Sequence, residues 1–299
     1  MQLKSVIRSL RLRTLPLSLS GIIYGIALST SAQASIRPLT LTMLVLTTIM
    51  LQILSNLSNE LGDNLHGTDR DDRQGIRYSI QDGSMTSADL RRLIVLAAIL
   101  CCCNGVVMVW SSFGTLFAWR PCLFLFLGAA AIWAATRYTL GDNPYGYRAL
   151  GDLAVFLFFG LVSVLGAAYI CCHRFDPLWL LPASSIGFFS MGVLNVNNLR
   201  DMKSDAATRT TVAILLGEKK TRIYQTLLIT IGWLLLIVFS LFTASKPTSY
   251  LYCLTIPCYI CHLHGVWHRS DRNLDPMLPL LVMSTFVTSI LFLALHKNA

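Results

Sequence analysis

Two stretches of the chain concentrate the side chains that can do chemistry. The first runs Asn56-Leu-Ser-Asn59-Glu60-Leu-Gly-Asp63-Asn64-Leu-His66-Gly67-Thr-Asp69, the second Asn195-Val-Asn197-Asn198-Leu-Arg200-Asp201-Met-Lys203-Ser-Asp205. In the first, Asn59, Glu60 and Asp63 recur at i, i+3/i+4, so a helix turns them to one side, with Asn56 a turn before. In the second, Asp201 and Asp205 stand four apart, with Asn198 a turn ahead. Oxygen donors without cysteine suit a hard cation such as Mg²⁺, which proteins hold through one or two carboxylates together with substrate phosphates. Asn59, Glu60, Asp63, Asp69, Asn198, Asp201 and Asp205 are therefore candidate metal ligands. Facing one another, the two clusters could hold metal on both sides of a diphosphate. Arg73, Arg77, Arg148, Lys203 and Arg209 could take the remaining phosphate oxygens. The competing reading is helix capping and loop solvation, for which Asn and Asp are common; repetition of the whole pattern weighs against it.

These stretches interrupt a chain suited to lipid. Of its 299 residues 54% are hydrophobic and only 13% charged, where a soluble domain carries about a quarter. Apolar runs near the roughly 20 residues that cross a ~30 Å hydrocarbon core predict an all-α bundle of nine transmembrane helices, near 15–31, 39–58, 90–111, 121–137, 149–171, 177–197, 223–244, 249–267 and 277–296, forming one domain over 1–299. The clusters begin at the ends of the second and sixth helices, and the long connections 59–89 and 198–222 hold most of the charge. Lys4, Arg8, Arg11 and Arg13 before an apolar run resemble a signal peptide. Pro16, Gly21 and Gly25 within that run, and no small-residue cleavage site after it, predict a retained first helix instead. The nine cysteines lie in or at the ends of apolar runs, where cysteine acts as a small hydrophobe, so no structural disulfide is expected.

Charge placement gives an orientation. Of the 24 Lys and Arg, all but Arg37, Arg120, Arg174, Lys246 and Lys297 fall on the N-terminal side of a nine-helix arrangement. The positive-inside rule makes that side cytoplasmic and puts the C-terminus opposite, and the expected location is the cell inner (cytoplasmic) membrane. Of the 15 Asp and Glu, only Asp176 falls outside. Acids contribute little to topology, so their clustering needs another cause. The net charge of +9 follows from membrane topology, and no aromatic–basic interleaving points to nucleic acid.

The two motifs resemble those of the UbiA superfamily of intramembrane prenyltransferases, with nine transmembrane helices and aspartate-rich motifs after helices 2 and 6. The nearer likeness is to its menaquinone branch, the 1,4-dihydroxy-2-naphthoate polyprenyltransferases. It rests on Arg13-Thr-Leu-Pro16, the Asn56–Asp69 stretch, Tyr145-Gly-Tyr-Arg148-Ala-Leu-Gly-Asp152 with the following Val-Phe-Leu-Phe-Phe-Gly160, and Asn197-Asn-Leu-Arg-Asp201-x-x-x-Asp205. It covers about residues 5 to 220. The chain departs from the family pattern in places. Glu60 replaces a usual aspartate, an arginine expected before Gly83 is offset to Arg77, and after Asp205 the stretch is one residue short, with Thr208 for a glycine and Arg209 for a lysine.

The resemblance implies Mg²⁺-dependent transfer of a polyprenyl group from its diphosphate to 1,4-dihydroxy-2-naphthoate, with loss of the carboxyl as CO₂, giving demethylmenaquinone. It implies Arg13, Arg73, Arg77, Lys203 and Arg209 on the diphosphate, and Asp152, Arg148 and Tyr145 at the acceptor end. Tyr138, Tyr145, Tyr147, Phe156 and Phe159 offer faces to an allylic cation. A relative acting on 4-hydroxybenzoate is the alternative enzyme. A secondary transporter is the alternative class, but transporters place their charges near the midplane between inverted repeats, whereas here the acids gather at one face. Cys258-Tyr-Ile-Cys261-His262 matches a haem-attachment pattern, yet it falls within an apolar run, and His262 and His264 lie on different helix faces.

Overall fold

The computed structural model describes residues 3–32, 35–68, 78–244 and 246–296. Among these the chain is a bundle of helices. A short α1 (Leu3–Leu10) leads into α2 (Leu15–Ser31), followed by α3 (Pro38–Leu65), α4 (Ser87–Phe113) and α5 (Trp119–Arg137). Then come α6 (Gly151–Cys172), α7 (Leu180–Arg200), α8 (Glu218–Thr243), α9 (Ile256–His268) and α10 (Met277–His296). Among the described residues, eight spans are long and apolar enough to cross a membrane.

The remaining predicted span, 249–267, is built differently. Pro247–Thr255 winds as a 3₁₀ helix and continues as α9. Pro257 in the first turn of α9 explains the change: it has no N–H to donate, and its ring clashes with the carbonyl of residue 253, so an α-helix cannot extend upstream.

Two departures from the predicted boundaries bear on function. The second predicted helix does not stop at residue 58; α3 runs on to Leu65, so Asn59, Glu60 and Asp63 ride on its last two turns. The sixth continues to Arg200, turns at Asp201, and resumes as a single turn, Met202–Asp205. Within α6, Phe156–Val162 is wound as a π-helix, a widening often found at functional sites. There Gly160 lies against α7 so closely that a Cβ would meet the Gly187 Cα at 2.7 Å.

The bundle has a packed side and an open side. Tyr24, Phe189, Trp233, Tyr252, Tyr259 and Phe292 form a buried aromatic core joining α2, α7, α8, α10 and the 3₁₀–α9 segment. On the other side, α2, α3, α5 and α6 surround a cavity of about 710 Å³. The connection before α4 is held by Thr86, which accepts from Asp89 N at 3.1 Å while Asp89 accepts from Thr86 N at 3.1 Å, satisfying two N–H groups at the helix start.

Candidate active site

The end of α3 and the segment after α7 meet at one end of the bundle. Asp63 and Asp205 are buried there, and Arg209 stands between them. Its Nη2 donates to Asp205 Oδ2 at 2.5 Å, and its Nη1 lies 3.8 Å from Asp63 Oδ1. Burial opposes the guanidinium charge, but Asp63 and Asp205 outweigh it and hold Arg209 above its ordinary range. A buried cation is tolerated when it is paired in this way.

Tyr147 completes the group. Its hydroxyl donates to Asp63 Oδ1 at 2.8 Å and accepts from Thr68 Oγ1 at 3.1 Å, and Arg209 lies over its ring at 5.8 Å. Burial first, then the neighbouring Asp63 carboxylate, hold its phenol well above the usual tyrosine value. The loops carrying Tyr147 and Arg209 are stitched by backbone: Thr210 N donates to Tyr147 O at 2.9 Å and Ala149 N to Thr210 O at 3.0 Å. His66 braces the same corner, its ring nitrogens 2.9 Å from Gly62 O and 3.1 Å from Gly141 O.

The other candidate ligands have separate surroundings. Glu60 is buried and accepts from Ile80 N at 3.2 Å. Asn59 accepts from Thr139 Oγ1 at 3.2 Å and lines the cavity. The closeness of this contact requires Gly62, where a Cβ would lie 2.5 Å from the Thr139 carbonyl oxygen. Asp201 is gripped by Arg200 through Nε at 2.9 Å and Nη2 at 2.5 Å, and Arg200 also reaches Asp275 at 2.6 Å. Asn198 is buried. Asp69, Arg73 and Arg77 lie outside the described residues. Among the described residues no three Asp, Glu, His or Cys side chains converge as a ready metal cage.

The other expected cations disperse. Lys203 is exposed and pairs with Asp271 at 2.9 Å, so it is not brought to the cluster. Arg13 donates to the Tyr78 hydroxyl at 3.1 Å, beside the segment that follows the first motif. Arg148 is exposed, and its part in the site is through its backbone neighbours. Asp152 is buried and accepts from Tyr224 at 3.1 Å. Tyr145 donates to Ala134 O at 2.7 Å and lines the cavity, its phenol pushed up to about 12 by burial.

The cavity begins under this cluster, at Asn59, Tyr138, Tyr145 and Leu194, and runs past Phe158 and Phe159 to Trp119 and Phe175. Its lining is mostly apolar. Gly146 and Gly151 make room for Tyr138 at its mouth: a Cβ at either would come within 2.6–2.7 Å of Tyr138 atoms. The pairing roles of Tyr147, Thr139 and Tyr224 were not readable from spacing, because each joins residues more than 70 positions apart.

The sequence profile described as the UbiA prenyltransferase family matches residues 18–290. The chain belongs to the UbiA prenyltransferase family. Among curated relatives of this family, 1,4-dihydroxy-2-naphthoate octaprenyltransferase of Escherichia coli (strain K12) is 36% identical over 288 residues, covering 96% of this chain and 92% of the relative. The Haemophilus influenzae protein of the same name is also 36% identical, covering 94% and 92%. The UbiA architecture recurs in the solved apo structure of a homolog from Aeropyrum pernix K1 (TM-score 0.72, 14% identity, covering 94% of this chain and 97% of that one). It recurs again in a homolog from Archaeoglobus fulgidus bound to DMAPP and Mg²⁺ (TM-score 0.67, 14% identity, 98% of both chains). This UbiA chain, with eight apolar spans among its described residues, is an integral multi-pass membrane protein.

Proposed function

We propose that this protein transfers a polyprenyl group from polyprenyl diphosphate to 1,4-dihydroxy-2-naphthoate, with decarboxylation, in menaquinone biosynthesis. The observation that carries this reading is the join between a buried acid–arginine cluster and a long apolar cavity. One end suits a metal-bound diphosphate and the other a hydrocarbon chain. The names of the relatives at 36% identity supply the acceptor.

The residues fit a divalent cation. Asp63 and Asp205 come from different segments yet both reach one guanidinium, so the fold brings carboxylates of both motifs to one place, with Asn59 a turn away, where they could hold a small cation beside Arg209. All-oxygen donors suit Mg²⁺, with substrate phosphates completing the shell. When bound, the metal would neutralise charge on the departing diphosphate. Arg209, with Arg13, Arg73 and Arg77, would hold phosphate oxygens.

The bond between the prenyl C1 and its diphosphate oxygen breaks, and a bond from C1 to a ring carbon of the naphthoate forms. The bonding electrons of the broken C–O bond leave with diphosphate, and the ring carboxylate leaves as CO₂, restoring the aromatic ring. The product is the reduced form of demethylmenaquinone. The apolar walls keep water from the allylic centre, and the Tyr138 and Tyr145 rings at the cavity mouth offer faces to the developing cation. Asp152 is assigned to the acceptor end, and Arg148, whose side chain is exposed, serves through the backbone of the loop it shares with Tyr147. The acidic end faces the cytoplasm, with the N-terminus on that side of the inner membrane and the C-terminus opposite.

The test is an acceptor comparison. Purified protein with polyprenyl diphosphate and Mg²⁺ is given dihydroxynaphthoate or 4-hydroxybenzoate. Prenylation of the first and not the second is expected; preference for 4-hydroxybenzoate would overturn the acceptor assignment.

A further inference from the structure

Ser55 presents an unspent hydroxyl to the cavity. It sits on α3 one turn before Asn59 and lines the cavity beside it. Ser58 is also unpaired but does not line the cavity, while the polar groups of α3 around Ser55 are mostly occupied. Thr48 donates to Leu44 O at 2.9 Å. Gln52 accepts from Ser18 and donates to Asn56 at 3.0 Å. Asn56 donates to Leu10 O and Thr14 Oγ1, both at 2.9 Å. Thr47 is also unpaired, but its hydroxyl is enclosed and lies two turns deeper. Helical serines of this protein commonly turn back to a carbonyl three or four residues earlier, as Ser20, Ser29 and Ser284 do. Among the described residues Ser55 makes no such bond and no other.

A polar group left without a partner in apolar surroundings is costly, and here it is accessible at one particular level. At 1.5 Å per residue, Ser55 lies about 6 Å along the helix from Asn59, just below the charged cluster. That is where the prenyl C1 must part from a diphosphate held by Arg209 and by the cation that Asp63 and Asp205 would bind. The prenyl chain has no group to bond a hydroxyl. The acceptor ring does, and the small Ala134 and Ala135 that line the cavity leave room for a flat ring.

We infer that Ser55 is a specificity-determining residue for the acceptor, its hydroxyl bonding an oxygen substituent of the aromatic ring. This rests on the prenyltransferase reading above and adds to it the contact that selects a hydroxylated ring.

The test is steady-state kinetics of wild type, Ser55→Ala and Ser55→Thr with dihydroxynaphthoate and with 1-hydroxy-2-naphthoate, which lacks one ring hydroxyl. Alanine favours the helix and removes an unpaired group, so the variant folds. Ser55→Ala is expected to raise the acceptor KM roughly five- to tenfold, the range of one neutral hydrogen bond. The KM for prenyl diphosphate stays unchanged, the preference between the two acceptors shrinks, and Ser55→Thr restores it. An unchanged acceptor KM, or a donor KM that rises in step, overturns the inference. If wild type fails to prenylate dihydroxynaphthoate at all, the functional reading fails instead, and the two failures are told apart in the same experiment.

Discussion

Arg209 Nη1 stands 3.8 Å from Asp63 Oδ1 while its Nη2 holds Asp205. One guanidinium thus joins the two acidic motifs, which lie far apart in sequence. It cancels repulsion between their carboxylates and puts a fixed cation where a diphosphate would dock. Arg209→Ala is expected to lower kcat/KM for prenyl diphosphate by roughly 10²-fold, at the upper range for charge-assisted hydrogen bonds. Arg209→Lys should lose less, since it keeps the charge but not the planar fork. Equal activity of the alanine variant would remove Arg209 from the diphosphate site.

The carboxylates divide by their partners. Asp63→Asn and Asp205→Asn should need much higher Mg²⁺ for activation, read from metal-dependence curves. Asp201 is the bidentate partner of a buried Arg200. Asp201→Asn should therefore show itself in thermal melting, with a loss of roughly 2 kcal/mol for the weakened charge-assisted hydrogen bonds, since Asp275 still pairs with Arg200, beyond any change in metal response. A melting profile unchanged by Asp201→Asn would contradict that division.

Much of this arrangement was legible in sequence. Apolar runs gave the order of the spans because each must be as long as the membrane is thick. The placement of the acidic motifs at the ends of the second and sixth predicted helices was legible too, since each follows directly on an apolar run. The helical spacing of Asn59, Glu60 and Asp63 was legible, but the run of α3 to Leu65 was not, because polar residues at a helix end read as loop. The π-helical turn at Phe156–Val162 was hidden, since it shifts the register by too little to break an apolar run. Lys203 looked like a site cation by proximity in sequence, but its turn points it to Asp271. The Tyr147–Asp63 bond depends on how two loops fold back on one another, and nothing local encodes it.

That bond carries a pH expectation. The Tyr147 phenol is held above the ordinary tyrosine value of about 10, so the protonated donor is present below that pH and is lost only as pH rises through the raised value. Wild type and Tyr147→Phe should therefore show the same alkaline limb between about pH 7 and 10, with the variant lower throughout. A limb that disappears in Tyr147→Phe would mean that Tyr147 ionises in that range.

Gly166 lines the cavity, and a Cβ there would meet no protein atom within 4 Å. Gly166→Leu should fold normally and place its side chain in the path of a long chain. Turnover should fall several-fold more with a long polyprenyl diphosphate than with geranyl diphosphate, as filling occupied space costs more than filling empty space. Equal losses with both donors would place the chain elsewhere.

Decarboxylating prenyl transfer is read out by carboxyl-labelled dihydroxynaphthoate with purified protein, polyprenyl diphosphate and Mg²⁺. Labelled CO₂ and diphosphate should appear in equal amounts, and EDTA should abolish both. Diphosphate released without labelled CO₂, or turnover that survives EDTA, would contradict a metal-dependent decarboxylating prenyl transfer.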